Sequence, residues 1–215
     1  MAPHLIAPRL ENAVVRLEPL AAAHVEGLRA AAAGERGSYR FTTVPEPEPE
    51  SVEAYVAQEL DQAATGSFAP LVQIDGASGT VVGHTSFMTP RWWPGTDALL
   101  AVEVGSTWLS AAAQGTAINT AAKLLLFTHA FEEWGVARVD LKTDARNARS
   151  RAGIVAVGAV FEGVLRGWQP SAAPGEEGRA RDTAMHAVTA ADWPAVKRAL
   201  EARLAAKRDA GPSQA

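Results

Sequence analysis

Two stretches of the 215-residue sequence combine side chains and backbone geometry suited to chemistry. In the first, Val102-Glu103-Val104-Gly105-Ser106-Thr107-Trp108-Leu109 leads into Ala113-Gln114-Gly115-Thr116-Ala117-Ile118-Asn119-Thr120: a strand ends, a loop of small residues follows, and a helix begins. Unpaired backbone N–H groups at the positive end of a helix dipole attract phosphate, and small side chains let it come close. A glycine that merely turns the chain between strand and helix is the plainer alternative. Glu103 faces away from Val102 and Val104 on its strand and is a candidate proton acceptor, or one half of a structural ion pair. His84, in Gly83-His84-Thr85, is a second candidate base or a hydrogen-bonded structural histidine, while His129 between Phe127 and Phe131 reads as structural.

The second stretch, Arg138 to Ser150, reads as a strand, a polar turn and the start of a helix. Asn147 either binds a ligand amide or caps the helix, and Ser150 either donates a proton or packs in the first helical turn. Arg146, Arg149 and Arg151 form a positive cluster, suited to a phosphate or simply solvated. Large aromatics that end up in loops or at strand ends, Tyr39, Phe41, Trp92, Trp93 and Trp168, are candidates for lining a substrate pocket. The Trp92-Trp93 pair serves equally well to cover a core edge or a dimer contact.

Composition narrows the chemistry. With 20 Lys plus Arg against 24 Asp plus Glu, the net charge is 20 − 24 = −4, which argues against nucleic acid as the main partner. The absence of Cys excludes disulfides, thiolate metal sites and a cysteine nucleophile. No metal site is expected, and no apolar run suggests a signal peptide or a membrane span, so a cytoplasmic protein is expected.

The elements that must position these residues follow from periodicity. Strands are expected at Val14–Glu18, Phe68–Ile74, Thr80–Met88, Leu99–Leu109, Arg138–Thr143, Val160–Trp168 and Asp182–Val188. Helices are expected at Leu20–Ala33, Ser51–Ala64, Gly115–Trp134, Asn147–Val157 and Ala191–Ala206. Pro45 to Glu50 alternates Pro with Glu and reads as an extended connector, and Pro170 to Gly178 as a loop. The order gives a mixed α/β sheet with helices packed on it, as one domain over residues 1–208, with 209–215 as a frayed tail.

Gly115 and Ala117 match the last two fixed positions of the pattern Q/R-x-x-G-x-G/A, the pyrophosphate loop of the acetyl-coenzyme A-dependent N-acetyltransferases of the GNAT superfamily. Ala112 stands where that pattern has Gln or Arg. Asn147, Ser150, Val157-Gly158-Ala159 and Phe161 to Arg166 resemble the strand-Asn-helix-Gly-strand segment of the RimJ and RimL ribosomal-protein branch. With Arg181-Asp182 and Asp192-Trp193-Pro194, the resemblance covers about Val14 to Leu204.

The resemblance implies a GNAT fold with a mixed, mostly antiparallel sheet, acetyl-CoA as cosubstrate, and direct attack on the thioester by a primary amine, of a protein N-terminus or of a small molecule. It implies that the strand edge at Val104, the loop Gln114, Gly115, Thr116, Ala117, Ile118 and Asn119, and Asn147 and Arg149 hold the cofactor. Glu103 or His84 would take the amine proton. Ser150 would protonate the leaving thiolate, because Ile154 stands where many members have Tyr. A homodimer is implied as well. The readings from other classes are a non-catalytic acyl-CoA-binding sensor or scaffold of the same fold, and a nucleotide-phosphate binder, which lacks the Lys and Ser/Thr of a phosphate loop.

Overall fold

The computed structural model describes residues 4–209. β1 (Leu10–Glu11) and β2 (Val15–Pro19) open the chain, and β2 alternates buried Val15 and Leu17 with half-buried Arg16 and Glu18 until Pro19 ends it. The first expected helix is delayed: residues 22–24 form a single 3-10 turn and α1 occupies only Val25–Ala32. α2 (Pro49–Ala64) starts two residues earlier than expected, because Pro49 fits a first turn where its missing N–H would have no partner.

β3 (Phe68–Asp75) and β4 (Val81–Trp92) form the expected hairpin. β4 outruns its expected end at Met88 by turning through Thr89 in the left-handed region (φ 46°) and pairing on to Leu99. β5 (Leu99–Leu109) matches its expected bounds. α3 (Ile118–Thr128) is followed by a π turn at residues 129–133, so the expected Gly115–Trp134 helix begins three residues late and widens at its end. β6 (Arg138–Asp144), α4 (Ala148–Ala156), β7 (Val160–Pro170), β8 (Ala180–Thr189) and α5 (Trp193–Asp209) complete the fold. Asp209 therefore belongs to α5, and the rest of the expected tail, 210–215, lies outside the described residues.

The eight strands run in the order β1-β2-β3-β4-β5-β6-β8-β7, and every neighbouring pair is antiparallel except β5 and β6. One face buries Leu28, Val52, Tyr55, Val72 and Trp108 in the cluster that contains α1 and α2. The other buries Val102, Val104, Phe127, Val139, Trp193 and Leu200 in the cluster that contains α3 and α5. This is the mixed, mostly antiparallel sheet flanked by helices that the resemblance implies.

β5 and β6 pair only at Ala101↔Arg138, Val102↔Val139 and Glu103↔Asp140. Beyond Glu103, β5 stays with β4 as far as Leu109, and β6 stays with β8 as far as Asp144, so the two strands part. The register between β4 and β5 also slips, and Ser106 takes a left-handed backbone (φ 48°). β4 can follow that course because Gly83 has no side chain; a Cβ there would run into the carbonyl oxygen of Trp108. Among the described residues no helix is long and apolar enough to cross a membrane.

Candidate active site

The parting strands open a cavity of about 570 Å³, lined from β5 by Glu103 to Leu109, from the loop before α3 by Gln114 to Thr116, and from α4 and its cap by Asn147, Arg149 and Ser150. Where β6 has left β5, the backbone of Val104 onward faces the cavity and needs partners from water or ligand.

At one end the loop before α3 turns at Gly115 (φ 78°), and no protein group accepts from the N–H of Gly115, Thr116 or Ala117 among the described residues. Lys207 of α5 donates to the carbonyls of Gly115 (2.6 Å) and Thr116 (2.7 Å), fixing the loop with its amides free. Gln114 donates to Ser38 Oγ (3.0 Å) and to Leu109 O (2.8 Å) and accepts from Arg149 (2.5 Å). The loop amides, Arg149 and Lys207 suit a phosphate group; Lys207 had no sequence signal, because α5 returns to this loop from 91 residues away.

Of the expected arginine cluster only Arg149 lines the cavity. Arg146 is engaged by Asp144 and Glu176 and lies over Phe41, 5.0 Å from Arg146 Cζ to the ring centroid. The Arg146 guanidinium holds the carboxyls of Asp144 and Glu176 below their ordinary range, Glu176 at about 2. Arg151 donates to Ala145 O and lies over Phe161. Asn147 does cap α4, its Oδ1 accepting from the Ser150 N–H at 3.0 Å, and the same side chain lines the cavity, so both readings of this residue are compatible. Ile118 is buried in the core, whereas Asn119 reaches the cavity.

Glu103 is 4% exposed, and its surroundings are less apolar than its strand neighbours suggest. Lys142 Nζ lies 2.8 Å from Oε2, and Thr89 Oγ1 donates to the same oxygen at 3.0 Å. Oε1 has no hydrogen-bond partner among the described residues and lies beside Gly105, whose added Cβ would come within 2.9 Å of it. One carboxylate oxygen is therefore fixed and the other is left for a proton donor in the cavity.

His84 is removed from that role by its position. It is fully buried, does not line the cavity, and its Nδ1 lies 2.9 Å from Ser106 O. Its Nε2 faces Glu59 Oε2 of α2 at 3.4 Å; burial pulls His84 down to about 4 and pushes Glu59 up to about 7, both toward the uncharged form, and the two side chains support the Ser106 bulge from behind. Among the expected pocket aromatics, Tyr39 and Phe41 line the cavity, with the Tyr39 hydroxyl donating to Leu109 O at 2.9 Å. Trp92 packs against the core that contains α3 and α5, while Trp93 and Trp168 are 47% and 54% exposed, and none of the three reaches the cavity.

A family model described as an acetyltransferase (GNAT) domain matches residues 15–160. The chain belongs to that family, whose members transfer an acyl group from acetyl-CoA to an amine. It is similar to a GCN5-related N-acetyltransferase from Brucella melitensis, at 28% identity over 92% of this chain and 85% of that one, with a TM-score of 0.79. A protein from T. thermophilus described as an acetyltransferase is 34% identical over 92% and 97% of the two chains, with a TM-score of 0.77. Mycobacterium smegmatis RimJ, solved in complex with CoA-disulfide, shares the fold at 21% identity over 91% and 93%, with a TM-score of 0.70. No curated protein matches the chain.

Lys123 of α3 also lines the cavity and carries no sequence signal of its role. It is 5% exposed, donates to Thr107 Oγ1 at 2.9 Å, and has no carboxylate within 4.0 Å among the described residues. Burial pulls its pKa down to about 7. Above that value the folded chain leaves this amine neutral, while the unfolded chain keeps it protonated to about pH 10. The unfolded state then binds the extra proton, so this group makes stability rise with pH from 7 upward. Urea unfolding is expected to show wild type gaining on Lys123→Met as pH is raised through that window; a constant difference contradicts the assignment.

Proposed function

We propose that the protein acetylates a primary amine in a ternary complex with acetyl-CoA, the acceptor being a protein N-terminal amine or a small-molecule amine. The observation that carries this reading is the free Oε1 of Glu103, set where β5 and β6 part and beside an unpaired strand edge. The residues present fit the cosubstrate. Unused amides of Gly115, Thr116 and Ala117 suit its phosphates, the edge from Val104 suits its amide-bearing arm, and Asn147 lies across the cavity to bond it. Bound acetyl-CoA supplies the activated acyl group as a thioester.

Glu103 accepts a proton from the ammonium of the acceptor, directly or through one water. The amine nitrogen bonds to the acetyl carbon as the C–S bond breaks, and its second surplus proton passes to the departing thiolate by way of the Ser150 hydroxyl. Lys142 and Thr89 hold the carboxylate in place by its other oxygen. No acyl-enzyme is required, in keeping with a chain that has no cysteine. Glu103→Gln is expected to lower kcat by about 10²–10⁴-fold with the acetyl-CoA Kd retained. Full turnover by the variant would move the base elsewhere, and wild type that binds acetyl-CoA but acetylates no amine would favour the non-catalytic binding module.

The same reading includes a homodimer. Among the described residues β7 pairs only with β8, and Val160, Phe161, Val164, Leu165 and Trp168 on it are 37–58% exposed, an apolar edge that a second copy would cover. Sedimentation is expected to give twice the chain mass for wild type and the single-chain mass for Val164→Lys. A monomeric wild type contradicts the assignment.

A further inference from the structure

The cavity contains a cation on β8 that the acetyl transfer does not use. Arg181 of β8 lines it, together with Phe41, Thr42 and Gln169. The register pairs Thr183 with Asp144 and Met185 with Lys142, so by strand alternation Arg181 projects from the sheet face that carries Asp144, Lys142 and Glu103. It is half-buried, its Nε is buried without an acceptor, and among the described residues its guanidinium makes no hydrogen bond and no ion pair.

The nearby carboxylates are already engaged. Glu103 is held by Lys142 at 2.8 Å, while Asp144 and Glu176 share Arg146, each at 2.7 Å. Burial lowers the pKa of Arg181, as expected for a cation that has lost water without gaining a partner. The phosphate-ready end of the cavity has its own donors in the loop amides, Arg149 and Lys207. A planar fork of donors, partly desolvated and unpartnered, matches a carboxylate or a phosphate, and with the phosphate-ready end already supplied the carboxylate is the group left for Arg181.

We infer that the acceptor carries a carboxylate as well as its amine, and that Arg181 recognises this carboxylate while Glu103 receives the proton of the amine. The inference rests on the proposed acetyl transfer and names the class of its acceptor: an amine that is also an acid, either a free amino acid or a peptide N-terminus with an acidic residue next to it. Phe41 and the stem of Gln169 would flank the bonds between the two groups.

The test uses acceptor pairs that differ only in carboxylate against carboxamide. One arm compares free amino acids with their amides, and the other compares peptides with Asp or Asn at the second position. Wild type is expected to favour the carboxylate member by about tenfold or more in kcat/KM in one arm, which identifies the source of the carboxylate. Arg181→Gln is expected to bring that member down to the rate of its carboxamide partner, Arg181→Lys to keep part of the preference, and both to bind acetyl-CoA with the wild-type Kd in calorimetry. Equal rates within both arms for wild type, or an Arg181→Gln variant that keeps the full preference, overturns the inference while leaving acetyl transfer standing. If wild type acetylates neither member of any pair although acetyl-CoA binds, the inference falls together with the acetyl transfer on which it rests.

Discussion

The site depends on a hydrogen-bond ladder that stops after three residue pairs. Among the described residues β5 and β6 are the only parallel neighbours in the sheet, and beyond Glu103↔Asp140 neither strand has the other as a partner. Each is held on its outer side, β5 by β4 and β6 by β8, so the gap cannot close without breaking those ladders. Ser106 turns through a left-handed backbone at the widening point, buttressed by the His84–Glu59 pair behind it, and Lys123 fills the space beside Thr107. The result is a stretch of strand edge inside the protein with polar groups to satisfy, which favours a ligand that carries amides of its own.

Charge in the cavity is arranged around that gap. Glu103 is tethered by one oxygen to Lys142, and Asp144 and Glu176 are tethered to Arg146. Lys207 anchors the loop by its carbonyls and so leaves its amides free. Lys123 and Arg181 are lining cations with no carboxylate within 4.0 Å among the described residues, and they differ in their surroundings: Lys123 is buried on threonine hydroxyls, whereas the Arg181 guanidinium has no hydrogen-bond partner there.

Much of this was legible in the sequence because it is local. The glycine at 115 with small neighbours, the acid alternating with valines at 103, and the Asn147–Ser150 cap are each set by a few adjacent residues, and the structure places all of them at the cavity. What stayed hidden depends on contacts distant in sequence. Periodicity on β4 makes His84 a strand residue but does not reveal that it lies under α2 against Glu59. A helix pattern over Ala191–Ala206 does not show that Lys207 returns to Gly115. Arg146 and Arg149 look alike in a run of arginines, yet the helix turn directs one to Asp144 and the other to Gln114. The Trp92-Trp93 pair suits a pocket wall only if a turn begins at Arg91; β4 instead continues through Thr89 and directs Trp92 onto the core.

In the proposed reaction the unpaired edge of β5 holds acetyl-CoA. Amide hydrogen exchange, followed with and without acetyl-CoA, tests it most directly. Amides in Val104–Thr107 and Gly115–Ala117 are expected to exchange readily in the free protein and to become protected together when acetyl-CoA is added. Protection of neither segment at saturating acetyl-CoA, or protection confined to some other surface, would contradict it.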